Sequence, residues 1–277
     1  MRRGRTSAVA GFGMGMAVGA GALWTLEPDI SRPELQRVNY RGRSVSTAGG
    51  MAPLASVLVA AGLIGARPRA AWRATAVACG ALGLAGLVDD VAGERDGAGG
   101  PRGLVGHLGE LRSLRMTTGT VKLAAGAISG TLAVVALPGR FSPVRALEGG
   151  AVVALAANLG NLLDRAPGRT TKVALATSAA LLATGRLPAG PAFAVGATAA
   201  TLPHDLAEKV MLGDTGANLV GAALGVALVE RSGGRARRAA LAALVGLTLA
   251  SERWSFSTAV DACPPLRWAD GLGRGDG

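Results

Sequence analysis

Long apolar runs separated by polar loops and turns recur along this chain of 277 residues, and they limit what it can fold into. About nine are long enough, or nearly long enough, to cross a bilayer as helices. They are Ser7–Trp24, Ala52–Ala66, Ala71–Val88, Gly119–Leu137, Val144–Leu163, Thr171–Gly185, Ala189–Leu202, Thr215–Val229 and Arg238–Ala250, of which the second, seventh and ninth are short. Apolar residues in these runs are continuous rather than alternating, which favours helices over the strands of a barrel. The expected fold is therefore all-α, a polytopic membrane bundle of about nine transmembrane helices. One membrane-embedded domain covers residues 1–250, and residues 251–277 form a short polar C-terminal tail.

Composition agrees. Hydrophobic residues make up 49% of the chain and charged residues only 17%, with a mean hydropathy of +0.37. The 43 glycines suit helices that approach closely in lipid better than they suit a soluble core. The net charge of +11 could serve a nucleic acid, but the arginines lie between apolar runs instead of in one patch. That spacing points to anionic lipid headgroups and to no nucleic-acid partner. Aromatic residues, at 3%, are too few for a pronounced interfacial belt. The N-terminal "MRRGRTSAVAGFGMGMAVGAGALW" has the basic-then-apolar pattern of a signal peptide but no clear cleavage site, so it reads as an uncleaved first helix. Cys79 and Cys263 have neither metal-ligand spacing nor a disulfide framework.

The loops fall into two sets. Long polar connections, Glu27–Met51, Asp89–Thr118, Asp164–Thr170 and Pro203–Asp214, follow the first, third, fifth and seventh runs. Helix parity places all four on one side of the membrane, together with most of the side chains able to do chemistry. The positive-inside rule does not orient that side: Lys and Arg number roughly fifteen on it and roughly thirteen on the other.

One stretch, "GLVDDVAG", sharpens the question. Asp89 and Asp90 close an apolar run, where two adjacent carboxylates repel each other and are poorly solvated. Singly, the polar residues of this face have plain readings. Asp214 before Thr215-Gly216 can be a helix cap. Asn158 and Asn161, three apart, can bond across helices, and Lys122 can snorkel to headgroups. His107 and His204 can be interfacial. Together they say more. Asp89, Asp90, Asp164 and Asp214 share one face with Arg41, Arg43, Lys122, Arg169 and Lys209. Mg²⁺ binds through one or two carboxylates and completes its shell with water and phosphate, so it would relieve the Asp89–Asp90 repulsion. Phosphate could also meet the amides where "GDTG" opens a helix. The combination suits a phosphate-bearing lipid meeting a phosphate-bearing soluble substrate.

Five pieces in order, "RGRSVSTAGGM", "GLVDDVAG", "TTGTVKL", "NLGNLLD" and "VMLGDTGANLVGAALG", carry a resemblance. From about Asn39 to Val229 the chain resembles the polyprenyl-phosphate N-acetylhexosamine-1-phosphate transferase family, which includes phospho-N-acetylmuramoyl-pentapeptide transferase. The resemblance implies a Mg²⁺-dependent transfer of a sugar-1-phosphate from a nucleotide sugar to a polyprenyl phosphate at the cytoplasmic membrane face, in cell-envelope glycan synthesis. It implies catalytic roles for Asp89, Asp90 and Asp164, with Asp89, Asp90 and Asp214 as metal ligands. Substrate contacts fall to Lys122, Asn158, Asn161 and Arg43, and a homodimer is compatible with it. The departures are specific. In "DRAPGR", Arg165 and Pro167 replace a Gly and an Asp that the family commonly has, and Ala217 replaces a Ser. A His-rich loop is missing and the chain closes about one helix early. These changes fall on nucleotide and sugar recognition and leave the metal-type aspartates in place. Two other readings are open: a non-catalytic relative that binds polyprenyl phosphate or scaffolds envelope-synthesis proteins, and a small transporter.

Overall fold

Each of the nine apolar runs forms a helix in the computed structural model, which describes residues 2–27, 30–39, 41–64, 70–92, 118–139 and 142–275. The helices are α1 (Arg2–Leu26), α2 (Ala48–Ile64), α3 (Ala70–Ala92), α4 (Thr118–Val135), α5 (Pro143–Leu163), α6 (Arg169–Ala183), α7 (Ala189–Ala199), then, after the short α8 (Leu202–Leu206), α9 (Gly213–Glu230) and α10 (Gly234–Arg253). Local chemistry sets several starts. Ser142 caps α5 by accepting from the Arg145 N–H, and Pro143 occupies the first position, where it loses no helical bond. Gly168 turns the chain into α6 at φ 71°, a left-handed conformation most side chains resist.

The all-helical expectation holds, but the helices differ in reach. Gly4–Leu26, Ala70–Val91 and Pro143–Leu163 are long and apolar enough to cross a membrane. Ala48–Leu63 and Ala125–Val135 are shorter apolar helices. Helix α7, with 11 residues, rises only about 16 Å, half the thickness of a hydrocarbon core.

Helix α9 lies at the centre, buried along most of its length and packed on α3, α5, α2 and α7. Small residues let these backbones meet: a Cβ added to Gly225 would lie 2.7 Å from the Val153 Cα of α5. The core joins Leu54 and Val57 of α2, Ala74 and Ala78 of α3, Val152 and Val153 of α5, Phe193 of α7, and Leu219 and Val226 of α9. Outward faces carry Leu63, Ile128, Leu132 and Leu147, all exposed. Apolar side chains scattered over the outside of a bundle with a close-packed interior suit a lipid surround.

Two segments differ from the sequence reading. The loop before α2 holds a hairpin, β1 (Gln36–Val38) antiparallel to β2 (Ser44–Ser46), with Arg37 opposite Val45. Its turn is made by the Asn39 side-chain oxygen, which accepts from the N–H groups of Arg41 and Arg43, and by Gly42 at φ 75°. The polar tail is also folded. It forms α11 (Phe256–Ala262) and α12 (Pro264–Gly271), because the Pro264-Pro265 pair starts a helix instead of breaking one.

Candidate functional site

The last turn of α3 and the segments after α1, α5 and α7 converge at one end of the bundle. Asp90, in the last turn of α3, faces the first turn of α9. Its Oδ1 accepts from the Asp214 N–H at 2.9 Å, and its Oδ2 accepts from the Thr215 N–H at 2.9 Å and the Thr215 hydroxyl at 2.6 Å. A carboxylate here satisfies two N–H groups that the helix leaves without partners and opposes its positive end. Gly213 makes room for it: at φ 58°, an added Cβ would lie 2.7 Å from Asp90 Oδ2. Arg37 of β1 donates to the Asp90 carbonyl. The hairpin is tied to the segment before α9, where the Met211 N–H donates to the Ser46 carbonyl at 2.8 Å.

Asp164 caps the C-terminal end of α5. Its Oδ2 is sealed from solvent and has no hydrogen-bond partner. Burial holds this carboxyl well above the usual carboxylate range, and the charges of Asp205, Asp214 and Asp90 push it further, against a hydrogen bond from Thr170. Asp205, in α8, is pushed up to about 7 by burial, against the Gly168 N–H and the charges of Arg274 and Lys172. Its Oδ2 accepts from Gly168 N at 3.0 Å. Asp164 therefore lies in the field of three other acids, each from a different segment.

Beside them opens a cavity of about 540 Å³. Asp164, Arg165 and Pro167 form one wall, Asn39 and Glu208 another, and Ser257, Asp270 and Arg274 of the tail a third. Glu208 is held at φ 53°, uncommon for a residue with a side chain, where it accepts from Asn39 Nδ2 at 2.6 Å and Arg41 Nη1 at 2.9 Å. Arg169, at the start of α6, points into the tail. Its Nε and Nη2 donate to the two Asp270 oxygens at 2.9 and 2.8 Å, and Nη1 donates to Ser257 Oγ at 2.9 Å. Arg274 lies 2.9 Å from Asp270 Oδ1 and donates from Nε to the Pro167 carbonyl at 2.9 Å. Burial alone would raise the Asp270 carboxyl; the hydrogen bonds and charges of Arg169 and Arg274 outweigh it and hold it below the ordinary range.

The residues singled out in the sequence fall into three groups. Asp90, Asp164 and Asp214 come together, with Asp89 adjacent to Asp90 and partly buried. Arg43 is exposed at the rim, 3.8 Å from Glu208, while Asn158 donates to Thr248 of α10 at 3.5 Å and neither Asn158 nor Asn161 lines the cavity. His107 lies outside the described residues, as does the Lys122 side chain, although Lys122 is part of α4. Ala217 is fully buried, and a Cβ on Gly160 of α5 would strike its carbonyl, so this position packs helices and does not face the cavity. Asp205, Glu208, Asp270 and Arg274 were not singled out. Only the i,i+4 spacing of Asp270 and Arg274 announces a pair.

Among the described residues, no group of three or more His, Cys, Asp or Glu side chains lies close enough to hold a metal ion. A hard divalent cation needs fewer, since phosphate and water complete its shell. The unpartnered Asp164 oxygen, within the fields of Asp90, Asp205 and Asp214, has the donor chemistry for one. Asp90 is less suited, because both its oxygens already serve α9. No family model matches the chain, and no curated protein matches it in sequence.

Proposed function

We propose that the protein transfers a sugar-1-phosphate from a nucleotide sugar to a polyprenyl phosphate, in a bundle of nine membrane helices whose acidic end faces the cytoplasm. The observation that carries this reading is the buried, unpartnered Asp164 oxygen beside an open cavity that arginines also line. Ionised, a carboxylate so placed would call for a cation, and the arginines on the wall would accept an anion. Phosphate chemistry at a membrane surface supplies both, and the resemblance to the polyprenyl-phosphate transferase family names the reaction. An oxygen of the lipid phosphate attacks the sugar-proximal phosphorus. The phosphorus–oxygen bond to the other phosphate breaks, and a nucleoside monophosphate leaves with that electron pair.

Asp164 and Asp214 are the residues that would hold Mg²⁺, with Asp89 close by in sequence to Asp90. When bound, the ion neutralises charge on the phosphates and holds them in line. Asp90 acts indirectly, positioning Asp214 by fixing the first turn of α9. Arg41 and Arg43, at the mouth, draw anionic substrate toward the cavity. The alternative, a non-catalytic binder of polyprenyl phosphate, draws on the engagement of both Asp90 oxygens and on the tail that lines the cavity.

Purified protein in detergent, given Mg²⁺, undecaprenyl phosphate and a panel of UDP-sugars, tests the reading through UMP release. Turnover that Asp164→Asn and Asp214→Asn each reduce at least about a hundredfold supports it. Lipid phosphate binding without turnover on any sugar would leave the binding module standing in its place.

A further inference from the structure

Among the described residues, Arg169 and Asp270 make the best-formed ion pair, with two parallel N–H to oxygen bonds and both side chains nearly buried, at 6% and 10% exposure. Yet the segment that delivers Asp270 is not part of the core. Neither α11 nor α12 contains a buried residue, and Leu266 and Trp268 of α12 stand exposed. The described polar contacts holding it join it to α6 and the turn before it: Arg169 to Asp270 and Ser257, Lys172 Nζ to the Asp270 carbonyl at 2.6 Å, and Arg274 to the Pro167 carbonyl. Little apolar area opposes its release, so the attachment is of the kind that opens locally while the rest stays folded.

The Asp270 carboxylate meets two guanidinium groups, those of Arg169 and Arg274, while the Lys172 ammonium donates to the carbonyl of the same residue. A guanidinium fork matches a phosphate as well as it matches a carboxylate, and a diphosphate brings more negative charge to the same cations.

We infer that the C-terminal segment is an anion-mimicking latch: the carboxylate and carbonyl oxygens of Asp270 occupy a phosphate site formed by Arg169 and Lys172, and a soluble diphosphate competes with them for that site. The idea rests on the proposed reaction for its biological ligand, since the diphosphate of a nucleotide sugar would be that competitor. In the resting protein the latch covers the donor pocket. Donor binding displaces Asp270 and frees α11 and α12 from the wall. Arg274 travels with the segment, while Arg169 and Lys172, on α6, stay behind to hold the anion.

The full chain in detergent, with inorganic pyrophosphate as probe, tests the latch without any turnover. Asp270→Asn should bind pyrophosphate about tenfold more tightly than wild type by calorimetry, and adding Arg169→Gln should remove the gain. A second readout uses the wild-type chain alone. Cys263, between α11 and α12, is partly exposed, whereas Cys79 is buried, so a thiol reagent reports on the tail. Pyrophosphate should speed Cys263 labelling severalfold. Equal affinity of wild type and Asp270→Asn, or labelling unchanged at saturating pyrophosphate, would overturn the latch, as would acceleration by phosphatidic acid and not by pyrophosphate. Failure of the transferase reading looks different: pyrophosphate still releases the tail, but no UDP-sugar yields UMP.

Discussion

Asp90 and Thr215 come from helices far apart in sequence and meet through two hydrogen bonds, from the Thr215 N–H at 2.9 Å and its hydroxyl at 2.6 Å. With the bond from the Asp214 N–H, they make Asp90 the cap of a helix it does not belong to. The predicted consequence is structural. Asp90→Asn turns one acceptor into a donor facing an N–H, and should cost about 2–3 kcal/mol of stability. Thr215→Val removes only the hydroxyl and should cost about 1 kcal/mol. Thermal unfolding in detergent ranks the two, and equal melting temperatures for Asp90→Asn and wild type would refute the capping role.

Gly213 carries the same relationship from the other side. Its φ of 58° already disfavours a side chain, and an added Cβ would sit 2.7 and 2.9 Å from the Asp90 oxygens. The conformation alone costs about 1–2 kcal/mol for alanine, and the clash adds to it. Gly213→Ala should therefore destabilise at least as much as Asp90→Asn, and a double variant should lose less than the two losses added, because both act on one contact. A thermodynamic cycle over the four proteins measures that shortfall.

Much of this arrangement was legible in the sequence. Continuous apolar runs gave the nine helices, since burying or greasing every face of a helix needs no alternation. Helix parity placed Asp90, Asp164 and Asp214 at one end, which needs only that consecutive helices run antiparallel. The hairpin escaped notice because its strands are three residues each and are held by a turn made by Asn39 instead of by a hydrophobic pattern. The tail escaped because its attachment is polar and long-range, Arg169 to Asp270 above all, and pairing between charges a hundred residues apart leaves no periodic trace. Asn158, given to substrate by the family resemblance and to a bond across helices by its spacing from Asn161, donates to Thr248 of α10, where the packing of α5 against α9 and α10 brings it.

Asp205 gives a pH signature. Its carboxyl is raised from 3.8 to about 7 by burial, so the folded state favours the protonated form. The contribution to stability is complete below pH 4, where both states are protonated. It declines as the unfolded chain ionises and is gone above about pH 7. The shift sets an upper bound of about 4 kcal/mol on that loss. Asp205→Asn stays neutral throughout and can still accept from Gly168. In metal-free buffer its melting temperature should match wild type near pH 4 and exceed it increasingly toward pH 8. Parallel curves for the two proteins across that range would contradict the burial.

The glycines of α1 test how the N-terminal helix is held. Gly11, Gly15 and Gly19 recur every four residues and so lie along one face. An added Cβ at Gly11 would meet the Ala189 carbonyl at 2.6 Å, one at Gly19 would meet that of Ala197 at 2.6 Å, and Gly15 abuts the Phe193 carbonyl between them. Gly13 and Gly21 have nothing within 4 Å. Apolar burial cannot hold α1 on α7 in lipid, where the tails are as apolar as the partner helix, so the close backbone approach must do it through dispersion. Gly15→Val should therefore separate α1 from α7, whereas Gly13→Ala and Gly21→Ala should be neutral or gain up to about 1 kcal/mol from helix propensity. Crosslinking between cysteines placed on α1 and α7 reads the separation directly, in a background where Cys263 is replaced. If Gly15→Val crosslinks as fast as the parent while Gly13→Ala slows it, the docking face assigned to α1 is the wrong one.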